Sequence, residues 1–380
     1  MSGYRIQRPC RSALSASTGS ADACRLTLLA LGMAGAIALA AGPARATSPS
    51  AELVSGTVYT ADERGNTISA IDLGSGRVES VRIPISPHNV QITGDGGRLL
   101  AVGDYAHGHG AGAAMGGDGK GRLLVLDTAT LARGPIAEIA VGAHPAHVVA
   151  DRGGRRAFVT NAGDNSVSVV NLAAGAVVAT IGTGRYPHGL RISPDGREIY
   201  VANVKDGSLT VIDTVRLVEA ARIPVGKAPV QVGFLPDGSR VYVSLRDENR
   251  VAVIDTATRK VTGRIGVGSN PIQVHAVPDG RQVYVANQGT DADPSDTVSV
   301  IDTASGTVVD TIRTGNGAHG VAVDDTSAFV FVTNIADATV SMIDTAARKV
   351  IATFSVGRGP NGITYRGSRE AGNRGKGGSQ

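Results

Sequence analysis

From residue 57 onward, short apolar runs recur at nearly even intervals. In one stretch, Pro187 to Ser193 (PHGLRIS) is an apolar run closed by Pro194-Asp195-Gly196, a tight turn whose glycine tolerates positive φ. Glu198 to Asn203 (EIYVAN) is β-branched and aromatic, which predicts a second strand, and Ser208 to Asp213 (SLTVID) predicts a third. Val218 to Val225 (VEAARIPV) mixes polar and apolar positions, as expected of an outer strand with one face in water. The first three strands are near-continuous apolar runs, so the unit is packed on both faces. The pattern predicts a four-stranded antiparallel sheet in about 42 residues.

That unit repeats. An apolar residue followed by Asp or Asn and then Thr or Leu closes an alternation at Ile71-Asp72-Leu73, Leu126-Asp127-Thr128, Val170-Asn171-Leu172, Ile212-Asp213-Thr214, Ile254-Asp255-Thr256, Ile301-Asp302-Thr303 and Ile343-Asp344-Thr345. Successive spacings are 55, 44, 42, 42, 47 and 42 residues, so seven copies share one period. A second landmark precedes each copy, most clearly as Phe158-Val159-Thr160-Asn161, Tyr200-Val201-Ala202-Asn203, Tyr284-Val285-Ala286-Asn287 and Phe331-Val332-Thr333-Asn334. These segments resemble the repeat of the YVTN family of β-propellers, over residues 57 to 365. The fold class is therefore all-β: a seven-bladed β-propeller of four-stranded antiparallel blades. The resemblance is specific for fold and nearly silent about function.

The first repeat begins at Thr57 with the second-strand motif. The last segment, Gly359 to Tyr365 (GPNGITY), is an inner strand with no blade after it. The C-terminal strand is thus expected to complete the N-terminal blade and remove an open edge.

Residues 1–46 read as a signal peptide. Arg5, Arg8, Arg11 and Arg25 precede an apolar run from Leu26 to Ala41, and Ala44-x-Ala46 supplies a small-residue cleavage pattern. The run is short and rich in Ala and Gly for a membrane span, which needs about 20 residues. The expected organisation is signal peptide 1–46, linker 47–56, propeller 57–365 and a disordered, Gly-rich basic tail 366–380, with the protein periplasmic or secreted and no integral membrane segment after cleavage. Cys10 and Cys24 both fall in the leader, so the mature protein would have neither disulfide nor thiol chemistry. Five of the 37 basic residues and one of the 33 acidic ones also fall there, leaving 32 of each. A neutral body without tryptophan, and with 13 Phe and Tyr spread along the chain, argues against nucleic acid as partner. An exported bacterial propeller of this kind has been associated with DNA binding, yet the features that would carry it are weak here.

Candidate chemistry gathers where inner strands begin. In propellers these entries share one face, around the channel mouth, with the loops joining strands two and three. The entries read Pro87-His88-Asn89, Pro145-Ala146-His147, Pro187-His188-Gly189, Pro229-Val230-Gln231, Pro271-Ile272-Gln273, Ala318-His319-Gly320 and Pro360-Asn361-Gly362. Four of the eight histidines lie here; His88, His188 and His319 share a register, and His147 sits one position later. His88, His147, His188, Gln231, Gln273, His319 and Asn361 are the expected ligand-binding ring, suited to a small polar ligand.

Two loops are long: Asp104 to Gly121, carrying His107, His109 and Met115, and Gln288 to Asp296, carrying Asp291, Asp293 and Asp296. The sharper expectation is a metal site on His88, His188 and His319, with or without His107, His109 and Met115. Imidazole suits copper and zinc, and thioether favours Cu(I). The aspartates offer a weaker case for calcium. The plainer alternative is that the histidines meet channel water and neighbouring blades, and that the Gly-rich loop is an ordinary insertion.

No G-x-S-x-G nucleophile elbow occurs, and the strand entries hold no carboxylates, so hydrolytic chemistry is not legible. The lactonases and lyases known on related propellers would typically use Glu with His in the channel. The sequence therefore supports a binding or scaffold protein acting through the channel mouth. A copper- or zinc-dependent enzyme or metal-handling protein on the same face is the first alternative, and an adhesion module that takes a protein partner on its blade edges is the second.

Overall fold

The computed structural model describes residues 55–106 and 120–368. Its strands form seven four-stranded antiparallel sheets. Blade 4 is typical, with Pro187–Ile192 innermost, then Glu198–Asn203, Ser208–Asp213 and Val218–Pro224. The inner strands of neighbouring blades adjoin one another all the way round, closing a ring about a central channel. Blade 1 takes its inner strand from the end of the chain: Pro360–Arg366 pairs with Thr57–Asp62, setting Tyr365 opposite Val58 and Ile363 opposite Thr60. The C-terminal strand thereby pairs the inner edge of Thr57–Asp62 and completes blade 1.

The core lies between blades. Tyr59, Phe158, Tyr200, Tyr242, Tyr284 and Phe331 occupy the same place on the second strands of six blades, with Leu100 in the seventh, and are almost wholly buried. Tyr200 meets Phe234 of blade 5 edge-on, with ring centroids 5.1 Å apart. Burying such a ring contributes about 2 kcal/mol. Since each blade presents apolar residues on both faces, the strands read as continuous runs. Outer strands alternate instead, as in Lys260–Gly266.

The repeat's polar letters have definite jobs. Asp213 Oδ1 accepts from the backbone N–H groups of Val215 and Arg216, capping the turn into the outer strand. Thr214 Oγ1 donates 2.7 Å to the Gly196 carbonyl, tying that turn to the one between the first two strands, and Thr256 does the same to Gly238. Asn161 Nδ2 donates to Ser166 Oγ and Ser168 Oγ of the next strand. Asn203, Asn287 and Asn334 repeat this bridge to their own hydroxyl pairs. In blade 5 the position is Leu245, and the facing residues are Arg250 and Ala252, so motif and partners change together.

No helix among the described residues is long and apolar enough to cross a membrane. Residues 1–46 lie outside the described part, as do His107, His109 and Met115 and the tail beyond residue 368.

Candidate functional site: a histidine cluster at the channel mouth

The inner strands start irregularly. In blades 3 and 4 the register slips between Pro145 and Val148 and between Pro187 and Leu190, and blade 2 slips between Pro87 and Asn89. Such a bulge re-aims side chains near the slip. Residues one and two places after the proline therefore both reach the axis, and His147 joins His88 and His188 despite its different register. Ring centroids are 5.1 Å apart for His88 and His188, 4.9 Å for His147 and His188, and 5.7 Å for His88 and His147. One nitrogen from each ring lies within 4.8 Å of the others.

Two adjacent positions at the axis leave room for about one long polar side chain per strand. Where the first is His or Asn, the second is glycine in His188-Gly189, His319-Gly320 and Asn361-Gly362. Where the first is apolar, the second is His147, Gln231 or Gln273. Gly189 shows the reason: a Cβ there would stand 2.2 Å from Gln231 Oε1 and 2.5 Å from the Val230 carbonyl. His88-Asn89 is the exception, with Asn89 Oδ1 turned to accept from the Val148 N–H.

The third letter of the YVTN motif positions these strands. Thr160 Oγ1 accepts from the His147 N–H at 3.0 Å and donates to the His188 carbonyl at 2.7 Å, clamping two histidine-bearing strands together. Ser244 does the same between Gln231 and Ile272.

Hydrogen bonds set the tautomers. His88 Nδ1 donates to the Ala146 carbonyl at 2.9 Å and His188 Nδ1 to the Val230 carbonyl at 3.3 Å. With the proton on Nδ1, each ring presents its lone pair on Nε2. His147 differs. Gln231 Oε1 accepts from the Val232 N–H, which turns Gln231 Nε2 toward His147 Nδ1 at 3.4 Å. His147 then accepts at Nδ1 and carries its proton on Nε2, a buried atom with no hydrogen-bond partner. Burial, followed by the neighbouring His188, holds His147 well below the usual imidazole range. Burial and then His88 do the same to His188. His147 and His188 are thus neutral at physiological pH.

His319 stands outside this trio. Its Nδ1 donates to the Asn361 carbonyl at 3.2 Å, and burial, then His88, lower its pKa to about 3. Gln273 Oε1 accepts from Gln231 Nε2 at 3.1 Å, extending the polar chain around the axis. Among the aspartates of the second long loop, Asp296 is ion-paired with Arg313 at 2.6 Å. Among the described residues, the group of three or more metal-ligating side chains that converge is His88, His147 and His188.

Two functional groups at the mouth escaped the sequence reading. Glu63, in a short turn after the first strand, accepts from Asn361 Nδ2 at 2.7 Å and lines the same cavity of about 890 Å³ as His88 and His188. The strand entries lack carboxylates, but a turn supplies one. Its signal was available: Glu63 directly follows the Tyr59-Thr60-Ala61-Asp62 copy of the motif, on the same face as the entries. His144, just before the blade 3 entry, pairs through Nδ1 with Asp104 at 2.6 Å on the exposed rim.

Fold and site together define a seven-bladed propeller with a histidine-lined channel mouth. The family model described as YNCE-like beta-propeller matches residues 135–216 and 213–371, and the chain belongs to that family, a propeller type related to the YVTN repeats. No curated protein matches the sequence. Among solved structures, Kuenenia stuttgartiensis hydrazine synthase is similar at 23% identity and a TM-score of 0.64, over 74% of this chain and 90% of the other. A functionally unknown protein from Desulfotomaculum acetoxidans is similar at 16% identity and a TM-score of 0.67, over 82% and 99%. At these identities the likeness is one of fold.

Proposed function

We propose that this is an exported binding protein that takes up a transition-metal ion at His88, His147 and His188. The observation that carries the reading is the convergence of three imidazoles from three adjacent blades, one nitrogen of each within 4.8 Å of the others. His88 and His188 already have the tautomer that ligation through Nε2 requires, each oriented by a carbonyl on Nδ1. The buried, unpartnered Nε2 of His147 is the third candidate donor. Three imidazoles suit zinc or copper and would leave room for a further ligand, and Glu63 lines the same cavity as His88 and His188. The basic leader and apolar run at residues 26–41 support export.

The test is metal analysis and titration of protein carrying no affinity tag, with Cu(II), Cu(I) and Zn(II). One ion per chain is expected, lost in His88→Ala, His147→Ala and His188→Ala and retained in His319→Ala. Uptake that survives all three substitutions, or no uptake, overturns the reading.

One observation favours a small polar ligand instead. With Gln231 donating to Nδ1, the cluster offers one N–H, on His147, and two lone pairs, on His88 and His188. A ligand hydroxyl would accept from the first and donate to one of the others. In that case the same variants would lose the organic ligand while metal left the melting temperature unchanged.

A further inference from the structure

Four places after each strand-entry proline, or after Ala318 in blade 7, the inner strands present a second set of residues farther down the chain's path: Thr364, Gln91, Val149, Arg191, Gly233, His275 and Ala322. All but Gly233 line one cavity of about 360 Å³, separate from the mouth. Arg191 is the charged member of this set. Its side chain is half-buried and lines this cavity. Burial pulls its pKa down to about 10, so it stays cationic at neutral pH.

Among the described residues this guanidinium has no counter-ion. No carboxylate among the described residues lies within ion-pair distance, and its one hydrogen bond runs from Nη1 to the Leu190 carbonyl at 3.3 Å. An enclosed cation without a partner is costly to keep. Its neighbours in the cavity are donors with protons to spare. Thr364 Oγ1 accepts from the Ile92 N–H, which leaves its own O–H free to donate. Gln91 Nε2 uses one N–H on the Ile92 carbonyl and keeps the other. His275 is neutral, its Nδ1 donating to the Val321 carbonyl, because burial and then Arg191 lower its pKa to about 4. The acids at the rim leave this arrangement intact. Asp324 is committed to Thr326 and to the Phe329 N–H, and Asp325 is exposed.

We infer that Arg191, with Gln91 and Thr364, forms a second binding site in the channel, distinct from the histidine cluster, for a small oxyanion such as a carboxylate or phosphate. A guanidinium fork matches the two oxygens of such a group, and the enclosed setting strengthens the charge-assisted bonds. The ring of inner strands places this site in the same channel as the histidine cluster, since the charge of Arg191 reaches both His275 and His147.

The test uses the full chain, treated with chelator so that metal plays no part, and titrates inorganic phosphate, sulfate, acetate and succinate by calorimetry. A saturable site for at least one anion is expected, and the tightest binder identifies the headgroup. Arg191→Met should weaken it roughly ten- to hundredfold, the range for losing a charge-assisted hydrogen bond, and Arg191→Lys should fall between. Removing an unpaired enclosed charge should leave the fold intact, which a melting curve checks. As a readout that needs no variant, the ring signals of His275 in ¹⁵N-histidine-labelled wild-type protein should shift with the same saturation. No saturable binding, binding indifferent to Arg191→Met, or saturation without a His275 shift overturns the inference.

Discussion

Gln231 directs its amide nitrogen at Nδ1 of His147 across 3.4 Å, from a position 84 residues later in the chain. The amide has no freedom to turn while its oxygen accepts from the Val232 N–H at 2.9 Å. This contact is what distinguishes His147 from His88 and His188, whose Nδ1 atoms face carbonyl oxygens. Metal ligation through His147 Nε2 places the ring proton on Nδ1, where an acceptor is better than a donor. Gln231→Glu supplies that acceptor while keeping an oxygen for Val232. Metal affinity should therefore rise about tenfold or more in this variant, measured by competition with a chromophoric chelator. A fall in affinity would favour the polar-ligand reading, in which His147 must keep its Nε2 proton.

Asp62 occupies the place that asparagine holds in four other blades. It accepts from Thr60, Thr67 and Ser69, yet burial outweighs these bonds and raises its pKa above the usual 3.8. The folded state therefore disfavours its charged form. Below pH 3.8 the group is protonated in both states and no penalty arises. The penalty grows as pH rises through the elevated folded value and is full above it. Asp62→Asn should accordingly be more stable than wild type at neutral pH, by about 1 kcal/mol, with Nδ2 donating to Thr67 and Ser69 as Asn161 does to Ser166 and Ser168. The advantage should vanish toward pH 3.8. Denaturant melts across that range check both sign and window.

Much of the fold was legible because a repeat states the same physical problem seven times. For Glu198–Asn203 and Ser208–Asp213 the predicted and observed strands coincide, since two-faced burial forces an apolar run and the Asp-Thr turn ends it. The gathering of histidines at the strand entries was legible too, from position alone. Which rings converge was not, because periodicity cannot reveal a slip between Pro145 and Val148. That slip sets His147 beside His88 and His188, while His319 bonds to Asn361. Glu63 was hidden for another reason. It is carried by a turn, and what brings it to the mouth is its backbone N–H bonding the Gly359 carbonyl almost three hundred residues away.

Blade 1 depends on the C-terminal strand for its innermost pairing and for Tyr365, which stacks on Phe331 of blade 7 at 5.7 Å. Ending the chain before Gly359 would expose the unpaired edge of Thr57–Asp62 and uncover the apolar face around Val58 and Phe331. The truncated protein should elute as aggregate in size-exclusion chromatography, and adding the missing segment as a peptide should partly restore the soluble species. A truncated chain that stays monomeric with the wild-type melting temperature would show that the closure is dispensable.

Gly189 tests whether the spacing of the cluster depends on the glycine that follows His188. A methyl group at this position meets Gln231 Oε1, which can move, and the Val230 carbonyl oxygen at 2.5 Å, which is backbone and can move only with its strand. That carbonyl is also the acceptor for His188 Nδ1. Gly189→Ala should thus destabilise the protein by about 1–3 kcal/mol, the usual range for overpacking. It should also disturb both controls on the cluster at once, the tautomer of His188 and the reach of Gln231 to His147. Gly196→Ala is the control, because a Cβ there meets nothing within 4 Å and its strain is that of positive φ alone. If both variants lose similar stability, but only Gly189→Ala loses metal or ligand binding, then the glycine's role is to leave room at the axis. Equal retention of binding would mean that the channel mouth tolerates repacking and that the spacing of the three rings is set elsewhere.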